Sequence, residues 1–362
     1  MNRRAFLRAN GSICTGLILS RAVPVLAHSL STAGWRTFDV VTRVELLNPK
    51  GTSHIWLPAA LTRETRYQRT LFNRFIADGG TATLTRAKQS ELGIVSATYP
   101  SDTKPILTLT SRVSLKNYSV DFSSRATPPP VSRAELDYFL KPTRYVPTDG
   151  IVKDTALKAT AGATSDIDKA RDIYDWIVEH TFRDPKIRGC GRGDIRFMLE
   201  SGDLGGKCAD LNALYVGMAR SVGLPARHVY GLRIDKSELG YKSLGLATDK
   251  ATKGQHCHAE VYLREHGWVP VDPADVRKVV LEEPPGNRPL NDEMVSQARQ
   301  RLFGSWEMNW MAYNYGHDVE LPGSAGKPLV YFMYPQAETS EQRVDPFDPD
   351  NFKYEITVIE VS

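Results

Sequence analysis

The spacing of apolar positions changes register twice along the chain. Over residues 35–124 it has period two. TFDVVTRVELLN alternates, a Pro-Lys-Gly turn follows, and HIWLP, IVSATYP, ILTLTSRVSL and YSVDFSS read as further strands. No long amphipathic helix interrupts them, although residues 63–76 have room for a short one. The stretch therefore predicts a β-sandwich. Thr127-Pro128-Pro129-Pro130 then reads as a stiff linker. Beyond it the period turns helical. Ile167, Ala170, Ile173, Tyr174 and Ile177 line one face of a helix over 166–180, capped by Ser165 or Asp166, with Trp176 at the edge of that face as a core residue. Leu211, Leu214, Tyr215, Met218, Ala219 and Val222 line one face of a second helix, stopped by Gly223 and Pro225. Period two returns at 258–263 and 268–272, with Glu265-His266-Gly267 as the turn between. After Arg277, EEPPGNRPL reads as an exposed loop and 294–303 as a short helix. Trp306, Trp310, Tyr313 and Tyr315 form an aromatic cluster, and LVYFMYP and YEITVIEV read as two final strands of a C-terminal part that packs back on the core.

The candidate chemistry sits where these elements meet. Cys208 follows Gly205-Gly206-Lys207 and opens the second helix. The free N–H groups and positive dipole end there favour a thiolate. Downstream, His258, Glu260 and Tyr262 share one strand face. A hairpin loop with an odd number of residues would put His258 and Asp272 on the same face of neighbouring strands. His256 shares that face, but a two-residue step is roughly 6–7 Å, so one of the two histidines can meet the thiol. Asp275 is the alternative to Asp272. A cysteine on a helix N-terminus with a histidine and an aspartate on adjacent strands is a nucleophile, a base and its orienter. His256-Cys257-His258 also invites a metal reading, but Cys257 points to the opposite face and neither C-x-x-C nor H-E-x-x-H is present, so no metal and no cofactor is expected. The word GCGRGD at 189–194 lacks the elements of a phosphate-binding loop and reads as a wall of the substrate cleft or as a structural loop. Arg227 and His228 read as structural.

Three words, GGKCADLNALYVGMARSVGLPARHVYGL, HCHAEVYL and GWVPVDPADV, occur in the order Cys, His, Asp. In that order they resemble the transglutaminase-like superfamily, relatives of papain-type cysteine proteases, and GCGRGD is similar to a segment of its bacterial secreted members. The resemblance is densest over residues 138–277. It implies an α+β fold: a papain-like core over 126–283, preceded by an immunoglobulin-like β-sandwich over 34–125 and followed by a C-terminal extension over 284–362. It implies Cys208 as nucleophile, His258 as base, because His-Ala-Glu-Val is the matching word, and Asp272 as orienter. The implied chemistry is amide cleavage or acyl transfer through a thioester on a peptide or protein substrate, cell-wall peptides among the candidates.

The ends and the composition bound this further. Arg3-Arg4 before Ala5-Phe6-Leu7, a short apolar stretch and Val25-Leu26-Ala27 read as a twin-arginine export signal over 1–27, which predicts a periplasmic or secreted protein. Residues 1–27 hold four of the 46 basic residues and no acid, so the remaining chain carries 42 of each sign. Such a balance gives no global field for nucleic acid. No later apolar run reaches membrane length. Once the signal is removed, Cys190, Cys208 and Cys257 remain. Cys190 and Cys257 either pair or stay as buried thiols.

Overall fold

The alternating segment RTFDVVTRVEL forms β1 (Arg36–Leu46), whose even-numbered apolar residues Phe38, Val40, Val44 and Leu46 are buried. It opens a two-sheet sandwich in a computed structural model that describes residues 34–124 and 128–361. The other strands are β2 (Ser53–Pro58), β3 (Gln68–Asp78), β4 (Thr81–Ala87), β5 (Leu92–Tyr99) and β6 (Ile106–Leu115). β6 lies between β1 and β3, and β5 between β2 and β4. Leu46, Ile55, Leu57, Val95, Leu107 and Leu109 fill the space between the sheets. Where a short helix was expected, the chain forms β3. Its ladder with β6 runs from Gln68↔Leu115 to Asp78↔Ile106, with one irregularity between Thr70 and Phe72, and that pairing outweighs any local helical preference.

The helical part begins with α1 (Arg133–Tyr138) and α2 (Gly150–Ala159). In α3 (Asp166–His180), the Ser165 hydroxyl accepts from the Asp168 N–H, while Ala170, Ile173, Tyr174 and Ile177 are buried and Trp176 packs at the margin. After α4 (Ile195–Ser201) comes α5 (Cys208–Ser221), in which every residue from Cys208 to Arg220 is buried. A central helix must satisfy its polar residues internally. Arg220, for example, donates to the carbonyls of Ala226 and Lys141. Gly223 then ends the segment at φ +84°.

Against α5 lies an antiparallel sheet of β7 (Ala226–Arg233), β8 (Gln255–Leu263), β9 (Gly267–Val271) and β10 (Trp310–Asn314), in the order β9-β8-β7-β10. The register Leu263↔Gly267 to Ala259↔Val271 leaves a three-residue loop at 264–266, an odd length, one residue earlier than the turn read at 265–267, with Gly267 at φ +76°. α6 (Pro273–Glu282) follows β9, and α7 (Glu293–Arg301) packs beside it.

The chain then returns to the sandwich. β11 (Gln336–Thr339) pairs with β2, and β12 (Phe352–Val361) pairs with β1 from Leu46↔Phe352 to Thr37↔Val361. The last strands thus supply an edge to each sandwich sheet, which covers the open edge β1 would otherwise present. Ile356 and Val358 also join the core around α5. LVYFMYP, in contrast, is not a strand. Beyond the isolated bridge Val319↔Leu329 it runs irregularly, with Phe332 and Met333 buried and the Phe332 carbonyl bonded to Asn314. Among the described residues no helix is long and apolar enough to cross a membrane. The export signal expected at 1–27 lies outside the described residues.

Candidate active site

Cys208 is the first residue of α5. The helix start is fixed from outside by GCGRGD. Asp210 accepts from the Arg192 and Gly193 N–H groups at 2.8 and 2.7 Å, and from the Lys207 N–H at 2.9 Å. Gly191 lies so close, at φ +94°, that an added Cβ would stand 1.8 Å from an Asp210 oxygen. The Ala209 N–H donates to the Cys190 carbonyl at 2.9 Å. The loop therefore anchors α5, and Gly189 and Cys190 also line a cleft of about 730 Å³.

Cys208 and His256 both line that cleft. The His256 Nε2 lies 2.7 Å from Asp272 Oδ2 and 3.3 Å from Asp275 Oδ1. The second Asp275 oxygen takes the Arg233 guanidinium at 2.5 Å. Asn212, one turn after Cys208, donates to Asp272 Oδ1 at 3.2 Å and to the Cys257 carbonyl at 2.8 Å. His258, the expected partner of Cys208, sits elsewhere. Its ring stacks on Trp306 at 4.9 Å and meets the edge of Trp310 at 4.4 Å. Its Nδ1 comes within 3.1 Å of Asp272 Oδ2 but out of hydrogen-bond alignment, and neither ring nitrogen has a partner. The cause is local. Residue 272 falls opposite 258 by the register, but at ψ 78° it has left the strand to cap α6, accepting from the Asp275 N–H at 3.0 Å. Its carboxylate is thereby set between the two imidazoles, with the aligned hydrogen bond on the His256 side.

Charge separates the two histidines further. Burial opposes a proton on His256, but the Asp275 and Asp272 carboxylates outweigh it and lift the imidazole to about 9. His258 is driven well below the usual range by burial and by the charge on His256. The Cys208 thiol is held well below its ordinary value by hydrogen bonds from the Cys190 and Cys257 thiols and, against burial, by the His256 hydrogen bond and charge. Since S–H is a weak donor, the charged imidazole is the partner that makes a thiolate favourable. Cys190 and Cys257 are pushed the other way, Cys190 chiefly by Cys208 and Cys257 by burial, and all three are free thiols. Burial and Asp275 raise Asp272, while Arg233 and His256 hold Asp275 down against burial.

Among the described residues, the grouping suited to a metal is His256, His258 and Asp272, with ligand atoms within 4.8 Å of one another. The 2.7 Å contact between His256 and Asp272 already uses the atoms a metal would need. The grouping has the form of a hydrogen-bonded imidazole–carboxylate pair. Asn212 and Arg233 were not singled out from sequence. Asn212 carried a usable signal, since an amide four residues after a helix-opening cysteine lies on the same helical face.

The comparisons agree with this architecture. The family model for the transglutaminase-like superfamily matches residues 153–273. An uncharacterized protein of Haemophilus influenzae is 32% identical over 346 residues, spanning 88% of this chain and 90% of its own. A candidate cysteine protease from Cytophaga hutchinsonii shares the fold at a TM-score of 0.55 and 15% identity, over 91% of this chain and 92% of that one. The periplasmic domain of TgpA from Pseudomonas aeruginosa matches 67% of this chain and 88% of its own, at a TM-score of 0.36 and 13% identity. The chain belongs to the transglutaminase-like superfamily.

Proposed function

We propose that this protein is an exported cysteine enzyme that hydrolyses amide bonds of peptides or proteins through a thioester on Cys208, with His256 as the base and Asp272 as its orienter. The observation that carries the reading is the cleft shared by Cys208 and His256, with the imidazole tied to Asp272 at 2.7 Å. Because Nε2 faces the carboxylate, Nδ1 is the nitrogen left to exchange protons with thiol and substrate. A depressed thiol beside a raised imidazole favours a thiolate–imidazolium pair. The thiolate attacks the amide carbon. The carbonyl oxygen takes the negative charge beside the Cys208 N–H at the start of α5. His256 passes its proton to the departing amine as the C–N bond breaks. Neutral His256 then takes a proton from water, whose oxygen displaces the thiolate and restores the pair. The twin-arginine pattern at 1–27 supports action outside the cytoplasm.

Acid-quenched mixtures of the processed protein with a peptide library, read by intact mass, test this. The expected result is an acyl adduct on Cys208 that decays to free acid and is absent from Cys208→Ala. Decay to amide in the presence of an added amine, in preference to acid, would turn the reading to a transglutaminase. No adduct and no cleavage, with the thiol accessible, would leave a binding protein on an inherited core.

A further inference from the structure

The wall of the cleft has one sign. Six cations line it, Arg183, Lys207, Arg233, Lys253, Lys278 and Lys353, and among the described residues no aspartate or glutamate does. Outside residues 1–27 the chain has equal numbers of acids and bases, so this wall is a local segregation of charge. The cations are also short of partners. Arg233 is committed to Asp275. Arg183 and Lys278 share one carboxylate, Glu282, at 2.7 and 3.8 Å, although their side chains are only 13% and 19% exposed. Among the described residues, Lys207, Lys253 and Lys353 have no ion pair. Burial and the neighbouring Arg233 push the Lys278 ammonium below its usual range, against the pull of the Asp275 and Glu282 carboxylates. Lys207 directly precedes Cys208, and both line the cleft.

We infer that the substrate is an acidic peptide, with carboxylates close to the amide that Cys208 attacks, and that Lys207 and Lys278 are specificity-determining residues. The inference rests on the proposed reading of Cys208 for its chemistry but on the cleft wall for its selectivity. A carboxylate-bearing ligand supplies the missing counter-charge. A cationic ligand would add to the repulsion that Lys278 already bears.

Two fluorescent peptides of one sequence, one with Glu and Asp near the centre and one with Gln and Asn in their places, test it. Binding is measured by anisotropy to the full processed chain carrying Cys208→Ala, and kcat/KM on the unsubstituted protein. The acidic peptide should bind tighter by roughly fivefold per carboxylate, the upper range for a partly exposed pair. The gap should shrink as salt is raised. Lys207→Met and Lys278→Met should each remove part of it. Equal affinity of the two peptides overturns the inference, and because this arm changes only the ligand, folding of the variants does not enter. A binding gap without cleavage by the unsubstituted protein would sink the hydrolase reading and leave the acidic selectivity standing. Cleavage without a gap would do the reverse.

Discussion

One face of the β7–β8 ladder carries two buried charged clusters, one at each end. At one end, beside a second cleft of about 400 Å³, Arg227 pairs with Glu260 at 2.7 Å, directly across the register, and lies between Trp268 at 3.9 Å and Tyr315 at 3.8 Å. The Tyr67 hydroxyl donates to the second Glu260 oxygen at 2.5 Å, and Glu135 takes another guanidinium nitrogen at 3.3 Å. Each charged group there is paired, whereas the Tyr315 hydroxyl and the Trp268 Nε1 have no partner. At the other end Arg233, Asp275, Asp272 and His256 are as deeply buried, but Arg233 and His256 line the cleft that holds Cys208, and one imidazole nitrogen is left free of the carboxylate. The same strand pair thus carries an internally paired network and the candidate site. What separates them is whether the pairing is complete within the protein, not the amount of charge.

The comparison is broken most sharply by single substitutions. His256→Ala should lower kcat/KM by about 10²–10⁴-fold, measured on any peptide the protein is found to cleave, while His258→Asn should cost far less. At the other end of the ladder, Arg227→Met leaves Glu260 buried without its ion pair. It should cost about 3–5 kcal/mol in denaturant unfolding and leave the Cys208 alkylation rate near that of the parent.

Stability against pH should show both signs of histidine. His256 is raised to about 9, so its contribution is full below its unfolded value of about 6.5 and is lost as pH rises through 9. Burial and Arg220 lower His228 to about 3, so the unfolded chain takes up that proton first and stability falls as pH drops below about 6.5. The melting temperature should therefore peak near pH 6.5, at about the unfolded histidine value, and His228→Phe should flatten the acid limb, by at most about 1.4 kcal/mol per pH unit. The smallest effect is expected from Asn212→Ala, which takes one hydrogen bond of about 1–2 kcal/mol from Asp272. It should lower kcat roughly tenfold with KM unchanged.

Much of this was legible in the sequence. The glycine turn, the helix-opening cysteine and the buried face of α5 follow from period and stop signals, and the odd hairpin loop from Glu265-His266-Gly267. The choice between His256 and His258 was not. A period of two puts both on one face, and the register favours His258 opposite residue 272. Only the turn of Asp272 into the α6 cap moves its aligned bond to His256. The C-terminal alternation was visible too, but its partner β1 lies some 300 residues earlier in the chain, a distance no local pattern spans. LVYFMYP misled because a short apolar run is equally compatible with burial outside any ladder.

The most direct test of the account is the rate of Cys208 alkylation against pH in the parent, His256→Ala and His258→Ala proteins. The account predicts fast labelling in the parent well below the free thiol value of about 8.5. It predicts a shift of the whole profile toward alkaline pH in His256→Ala, and little change in His258→Ala. An unchanged profile in His256→Ala with the shift in His258→Ala would contradict it and return the base to His258.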